Sequence, residues 1–174
     1  MRKLSAIMFI MAGLMMTGCG NEGSSQSSAT PLPATVYLTA LPEATVKTVQ
    51  AARAEVHEGE EIIVRGVVGG SKNPFGENRA IMTIIDDTLE KSCASEGDHC
   101  PTPWDYCCTP RERLMASIAT VRFVDTEGKP LEATIGADGR IKPFSTVVVR
   151  GKVATGSTPE NLIIDAEQVF VEKI

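Results

Sequence analysis

The chain has 174 residues, 43% of them hydrophobic and 5% aromatic, with 17 Lys and Arg against 22 Asp and Glu for a formal charge of −5. That length and apolar content fit one ordinary domain with a core of its own and exclude a wholly disordered chain. The acidic balance leaves no surplus of cations for the sequence-independent grip on phosphate backbones that clustered Lys and Arg provide.

At the start, Arg2 and Lys3 precede an apolar stretch from Leu4 to Met16, and Met16-Thr17-Gly18-Cys19 closes it, the order an export signal requires. The stretch falls short of the roughly 20 residues that cross a bilayer core. It resembles the leader of bacterial lipoproteins, which implies removal of residues 1–18, a diacylglycerol thioether on Cys19 and an acylated amine, enough for stable attachment to a lipid bilayer. Gly20, in place of an aspartate after the cysteine, implies an outer-membrane destination facing the periplasm. Cleavage by ordinary signal peptidase is the alternative, and Met16, where such leaders more often carry Leu, is its support. Of the 174 residues 156 remain after loss of the first 18, with 15 basic against 22 acidic side chains and a formal charge of −7. After Cys19 the run GNEGSSQSSATPLPAT is Gly-, Ser-, Thr- and Pro-rich and nearly without large apolar side chains, so residues 19–42 are expected as a lipidated tether, with one domain over 43–174.

Within the domain Ala44 to Val56 has weak apolar periodicity and fits a strand or a short helix. Ile62-Ile63-Val64-Arg65-Gly66-Val67-Val68 is echoed by Val147-Val148-Val149-Arg150-Gly151-Lys152-Val153. Both predict strands whose alternate β-branched residues face a core, with a shared inward glycine where a small barrel bends. Further strands are expected over Arg79 to Ile85, over Ala119 to Val124 with a continuation Leu131 to Ile135, and over Leu162 to Val171. Turns fall at 69–74, 125–130 and 156–161, and Pro110 to Ala116 predicts one short helix.

The runs EVHEGEEIIVRGVVGG, RAIMTIIDD, STVVVRGKV and LIIDAEQVFV, with Gly59, Ile62, Val64, Gly66 and Val68 in the opening strand, resemble the strands of an OB-fold domain. The resemblance implies a mainly β fold, a small five-stranded Greek-key barrel. It departs from the family in having no helix pattern over Glu127 to Ser145 and in carrying a cysteine-rich insertion, about 88–113, between strands two and three. Among OB domains the chain is similar to uncharacterised secreted OB-like lipoproteins, which imply no activity. The resemblance puts a binding surface on strands two and three with the loops at 69–76 and 154–161, which makes Lys72, Arg79, Trp104, Tyr106 and Arg122 the candidate contacts for a small or polymeric ligand or an envelope protein. Nucleic acid, a common ligand of such barrels, is disfavoured by the acidic charge and by the lack of aromatics on strand two. Arg65, Arg140, Arg150 and Lys152 would add to a basic patch only if they converged with Lys72, Arg79 and Arg122.

The insertion holds Cys93, Cys100, Cys107 and Cys108 beside His99. In an oxidising compartment an even number of cysteines is read first as two disulfides. Strain in a bridge between neighbours leaves Cys93–Cys107 with Cys100–Cys108, or the crossed set, each worth about 3 kcal/mol in the chain-entropy account. The alternative is zinc held by the four thiolates, or by three with His99, although the spacing lacks the usual pairs two to four residues apart. A redox-active dithiol is a third reading, without a C-x-x-C to support it. Trp104 and Tyr106 are expected as the insertion's hydrophobic centre.

Catalysis has no motif behind it. Asp86, Asp87, Asp98, Asp105 and Asp165 are the candidate acids and His57 and His99 the imidazoles, but no G-x-S-x-G occurs, and Asp86-Asp87-Thr88 reads as a turn start. The sequence therefore points to a non-catalytic, cofactor-free binding domain on an envelope lipoprotein, with a zinc-binding envelope protein and a nucleic-acid-binding OB domain as alternatives.

Overall fold

A computed structural model describes residues 29–90 and 100–172 of the chain, so the leader, Cys19, Cys93, Asp98 and His99 lie outside the described residues. Five strands of a six-stranded sheet form a closed ring: β2 (Glu61–Val68), β3 (Ile81–Ile85), β4 (Ile118–Phe123), β5 (Thr146–Val153) and β6 (Leu162–Val171). Their spatial order is β2-β3-β4-β6-β5, and pairing of β5 with β2 closes the ring. Every neighbouring pair in the ring is antiparallel except β4 and β6, which run parallel from Ala119 opposite Leu162. First to second to third to fifth to fourth and back to first, with third and fifth parallel, is the OB-like Greek-key barrel.

The echoing segments are direct partners. Ile62 stands opposite Gly151 and Gly66 opposite Val147 across the β2–β5 seam. Ile62, Val64, Val68, Val147, Val149 and Val153 all enter the main core with Met82, Ile84, Val121, Phe123 and Ile164. Each such side chain contributes about 1.5–3 kcal/mol on burial. Gly151 sits at a bulge in the β5–β6 ladder, and a Cβ there would fall 2.2 Å from the Asp165 carbonyl oxygen. Gly66 has the same constraint in milder form, 2.9 Å from the Ile85 carbonyl oxygen.

The segment from Ala44 to Val56 is both of the things its pattern allowed. β1 (Lys47–Thr48) pairs in parallel with Val64 and Arg65 of β2, and α1 (Val49–Ala54) follows at once. The Thr48 hydroxyl accepts from the Ala51 amide at 3.3 Å, an N-cap. Val49 and Ala52 are fully buried in the main core, while Gln50 and Arg53 bond Ser117 and Ile118 at the start of β4, so α1 closes that end of the barrel.

Two expectations are corrected. Leu131 to Ile135 is not a strand: Val124 bridges Pro130, but the Leu131 carbonyl then accepts from Ala80 and from Ala133, and Ala133, Ile135 and Ile141 fold inward across the opposite end of the barrel. No helix occurs over residues 124–145. Nor are residues 30–38 a tether. Leu32 is buried in the main core, a 3-10 turn spans Ala34–Val36, Tyr37 bridges Val169, and the Leu38 amide donates to the Val169 carbonyl at 2.8 Å. Leu32 in the main core, with Val36 and Tyr37 packed against it, holds the run.

Residues 86–117 connect β3 to β4 and carry a 3-10 turn, Pro103–Asp105, and α2 (Arg111–Ala116). Among the described residues no helix is long and apolar enough to cross a membrane.

Candidate functional site

Val67, Ile85 and Ile118 lie in one cross-strand row on the outside of β2, β3 and β4. The β3–β4 connection folds back over it. Val67, Ile85, Leu89 and Tyr106 form a second core, with Leu114 and Phe144 packed against it. Tyr106 is 1% exposed, so its ring is the foundation of the connection and cannot be a ligand contact. Burial alone pushes its phenol up. The surface on which OB-like barrels commonly present ligands is thus partly covered by this chain itself.

Trp104 remains at the rim of that cover. Its ring meets Phe144 edge-on at 6.4 Å, its Nε1 donates to the Lys72 carbonyl at 3.1 Å, and its carbonyl accepts from the Gly70 amide at 2.8 Å. Gly69 is held tightly here, since a Cβ would lie 2.5 Å from the Trp104 carbonyl oxygen. Lys72, Asn73, Pro74, Phe75, Glu77 and Trp104 line a recess of about 470 Å³. Two of the five expected contacts, Lys72 and Trp104, therefore share one place. Phe75 belongs to it too, and only its position in the turn-rich run 69–76 hinted at that.

The remaining cations do not converge. Arg65 binds Asp87 and takes Glu172 in a two-pronged pair at 2.9 Å. Arg122 donates to Asp165 at 2.8 Å across the parallel β4–β6 pair. Arg140 lies over the Tyr37 ring at 4.6 Å, and Arg79 lines a separate cleft of about 420 Å³ with Thr30, Glu132 and Thr134. A larger cleft of about 550 Å³, unforeseen in the sequence, runs between residues 38–47 and the β2–β5 seam, lined by two cations, Lys47 and Arg150, and two anions, Glu60 and Glu61.

The candidate acids among the described residues, Asp86, Asp87, Asp105 and Asp165, are engaged structurally. Buried Asp86 accepts from the Gln50 amide at 2.7 Å and from the Thr88 amide and hydroxyl at 3.0 and 2.6 Å. Burial works against its charge, but those hydrogen bonds outweigh it and hold the carboxyl below its ordinary range. His57 is exposed in the approach to β2.

Three cysteines fall among the described residues, around Asp105. Cys100 and Cys107 have sulfurs 3.7 Å apart, and Cys107 and Cys108 3.8 Å. Both separations exceed the S–S bond of about 2.05 Å, so no bridge joins these pairs. Cys100–Cys107 belongs to the crossed set of expected pairings, and Cys93 and His99 lie outside the described residues. The ligand atoms of Cys100, Asp105 and Cys107 all lie within 4.8 Å of one another. Asp105 was visible as an acid, but not as a neighbour of the sulfurs. Its separation of only two residues from Cys107 was the one signal of that.

No family model matches the chain, and no curated protein matches it. Among solved structures the hypothetical protein YgiW from E. coli aligns at 14% identity and a TM-score of 0.40, over 75% of this chain and 94% of that one. The barrel assignment rests on strand order and register alone.

Proposed function

We propose that this chain is a lipid-anchored protein of the bacterial cell envelope whose OB-like barrel is a non-catalytic binding module, with the recess at Lys72, Phe75 and Trp104 as its contact surface for a small or polymeric ligand or a protein partner. The observation that carries the binding reading is the convergence of Trp104 from the β3–β4 connection and Lys72 from the β2–β3 loop, an aromatic edge and a cation on one rim. Such a combination suits an amphipathic ligand better than bulk water. The leader and Cys19 support the address. Pairing of Arg65 and Arg122 with carboxylates supports a partner other than nucleic acid, because neutralised cations release no counterions. Engagement of Asp86 and Asp165 in structural bonds supports a role without turnover.

Trp104 is the chain's single tryptophan, so its fluorescence reports on the recess without labels. The full chain should sediment with membranes and require detergent for release, Cys19→Ala should appear in the soluble fraction, and soluble envelope extracts should shift the Trp104 emission. A wild-type protein that is soluble and unacylated sinks the address. An emission unmoved by every extract sinks the recess, and turnover of generic esters or phosphates sinks the non-catalytic role.

A further inference from the structure

We infer that the β3–β4 connection is a thiolate metal site for a zinc-class cation, held by Cys100, Asp105 and Cys107, with Cys108 alongside. A tetrahedral zinc with Zn–S bonds of about 2.3 Å places its sulfurs about 3.8 Å apart. The Cys100–Cys107 and Cys107–Cys108 separations are 3.7 and 3.8 Å. One carboxylate oxygen of Asp105 lies within 4.8 Å of the Cys100 and Cys107 sulfurs.

The spacing that counted against zinc in the sequence is overcome by the backbone. Tyr106 adopts φ 56° and ψ 34°, a left-handed conformation that reverses the chain between Asp105 and Cys107. Side chains only two residues apart thereby reach one point, and Cys100 arrives from the other side of the Pro103–Asp105 turn. The buried ring of Tyr106 fixes that turn to the barrel, and its carbonyl accepts from the Thr109 amide at 2.9 Å. Asp105 is oriented by the Thr102 hydroxyl at 2.8 Å and the Cys107 amide at 2.9 Å, the outer contacts that aim a metal-binding carboxylate.

On ligation each thiol releases its proton to solvent, so two thiolates and one carboxylate bring three negative charges to a dication. Cys108 or a water completes the tetrahedron. Two soft sulfurs with one hard oxygen suit Zn²⁺ better than Cu⁺, which takes sulfur alone, or Mg²⁺, which takes oxygen. The site lies beside Trp104, so metal would brace one wall of the proposed recess while standing independently of what that recess binds.

The test uses the full chain, extracted with detergent and without chelators, with thiols alkylated at lysis in one sample and kept intact in another. Expected are about one zinc per chain by elemental analysis, and, after its removal, Co²⁺ uptake with sulfur-to-cobalt charge-transfer absorption. Cys100→Ser and Cys107→Ser should each lose stoichiometric metal, Asp105→Asn should weaken uptake, and Arg79→Ala should change nothing. Far-UV circular dichroism of each metal-free variant checks that the barrel persists. Recovery of a disulfide at Cys100 or Cys107, with either expected partner, from the cell-derived protein with no metal overturns the inference, and so does Co²⁺ uptake indifferent to Cys107→Ser. Loss of metal with retained Trp104 response to envelope extracts would leave the proposed binding function standing, so the two readings fail separately.

Discussion

Asp86 has no exposed surface, yet it is arranged to be ionised. Its two oxygens gather the Gln50 amide from the first turn of α1 and the amide and hydroxyl of Thr88, tying the end of β3 to the helix that closes the barrel. A carboxylate at a helix start also meets the favourable end of the peptide dipoles. Asp86→Ala would strand these donors at about 1–3 kcal/mol for each one left unpaired, on the order of 3 kcal/mol in sum. Urea unfolding should show a lowered midpoint with an unchanged slope, and Asp86→Asn, which keeps one acceptor oxygen, should fall between. A loss under about 0.5 kcal/mol would mean water replaces the carboxylate. The sequence made the turn at Asp86-Asp87-Thr88 legible, because short acidic side chains bond their own backbone two residues on. Its bond to Gln50, 36 residues earlier, has no local signature. Gly66 and Gly151 were legible as places where a small barrel bends, and Gly151 does sit at a bulge; the carbonyl oxygen that takes the place of a side chain at each comes from a neighbouring strand and left no local sign.

At the scale of elements, periodicity succeeded where a strand's two faces differ and misled where burial had another source. Leu162–Val171 emerged with its expected bounds because Leu162, Ile164 and Ala166 face inward, and beyond the bulge opposite Arg150 and Gly151 the alternation resumes one residue on with Val169. Leu131, Ala133 and Ile135 also alternate, but they do so while crossing a barrel end, and their backbone pairs with Ala80 and Thr30 instead of a continuous ladder. α1 was ambiguous because six residues show too little of a helical period to separate it from a strand. The β3–β4 connection was recognisable by its cysteines, whereas its role as a cover over Val67 and Ile85 depended on where Tyr106 went. Tyr106→Ala should cost about 3–5 kcal/mol, the range for large aromatic truncations in a core. Hydrogen exchange should show the loss first at residues 100–117. Tyr106→Phe keeps the ring and should restore both protection and midpoint. Equal protection in the Ala variant would show that the cover does not hang on this residue.

Across the whole molecule, the two tyrosines of the chain mark two connections that fold back onto the barrel. Tyr37 holds the segment before β1 against β6 through its bridge to Val169, and Tyr106 holds the segment between β3 and β4. Burial first, then the Asp138 carboxylate, pushes Tyr37 up to about 12 against the opposing influence of Arg140, and burial raises Tyr106. A phenol whose pKa is higher folded than unfolded contributes stability that is complete below its unfolded value and is lost as pH rises through its folded value. The alkaline limit therefore runs upward from 10.0 toward about 12 for Tyr37. Asp86 and Glu172 act with the opposite sign, Asp86 through hydrogen bonds that outweigh desolvation and Glu172 through its bond to Arg65; both are held below their ordinary range, so their contribution is present above the unfolded carboxylate values and lost as pH falls through the folded ones. Stability should form a plateau between these limits. Tyrosinate absorbance tests the alkaline side directly: in the native protein both rings should ionise later than in the urea-unfolded chain, and the unfolding midpoint should fall over the same interval. One tyrosine ionising at its unfolded value in native protein would mean that its segment is undocked in solution, and Tyr37→Phe against Tyr106→Phe would identify which.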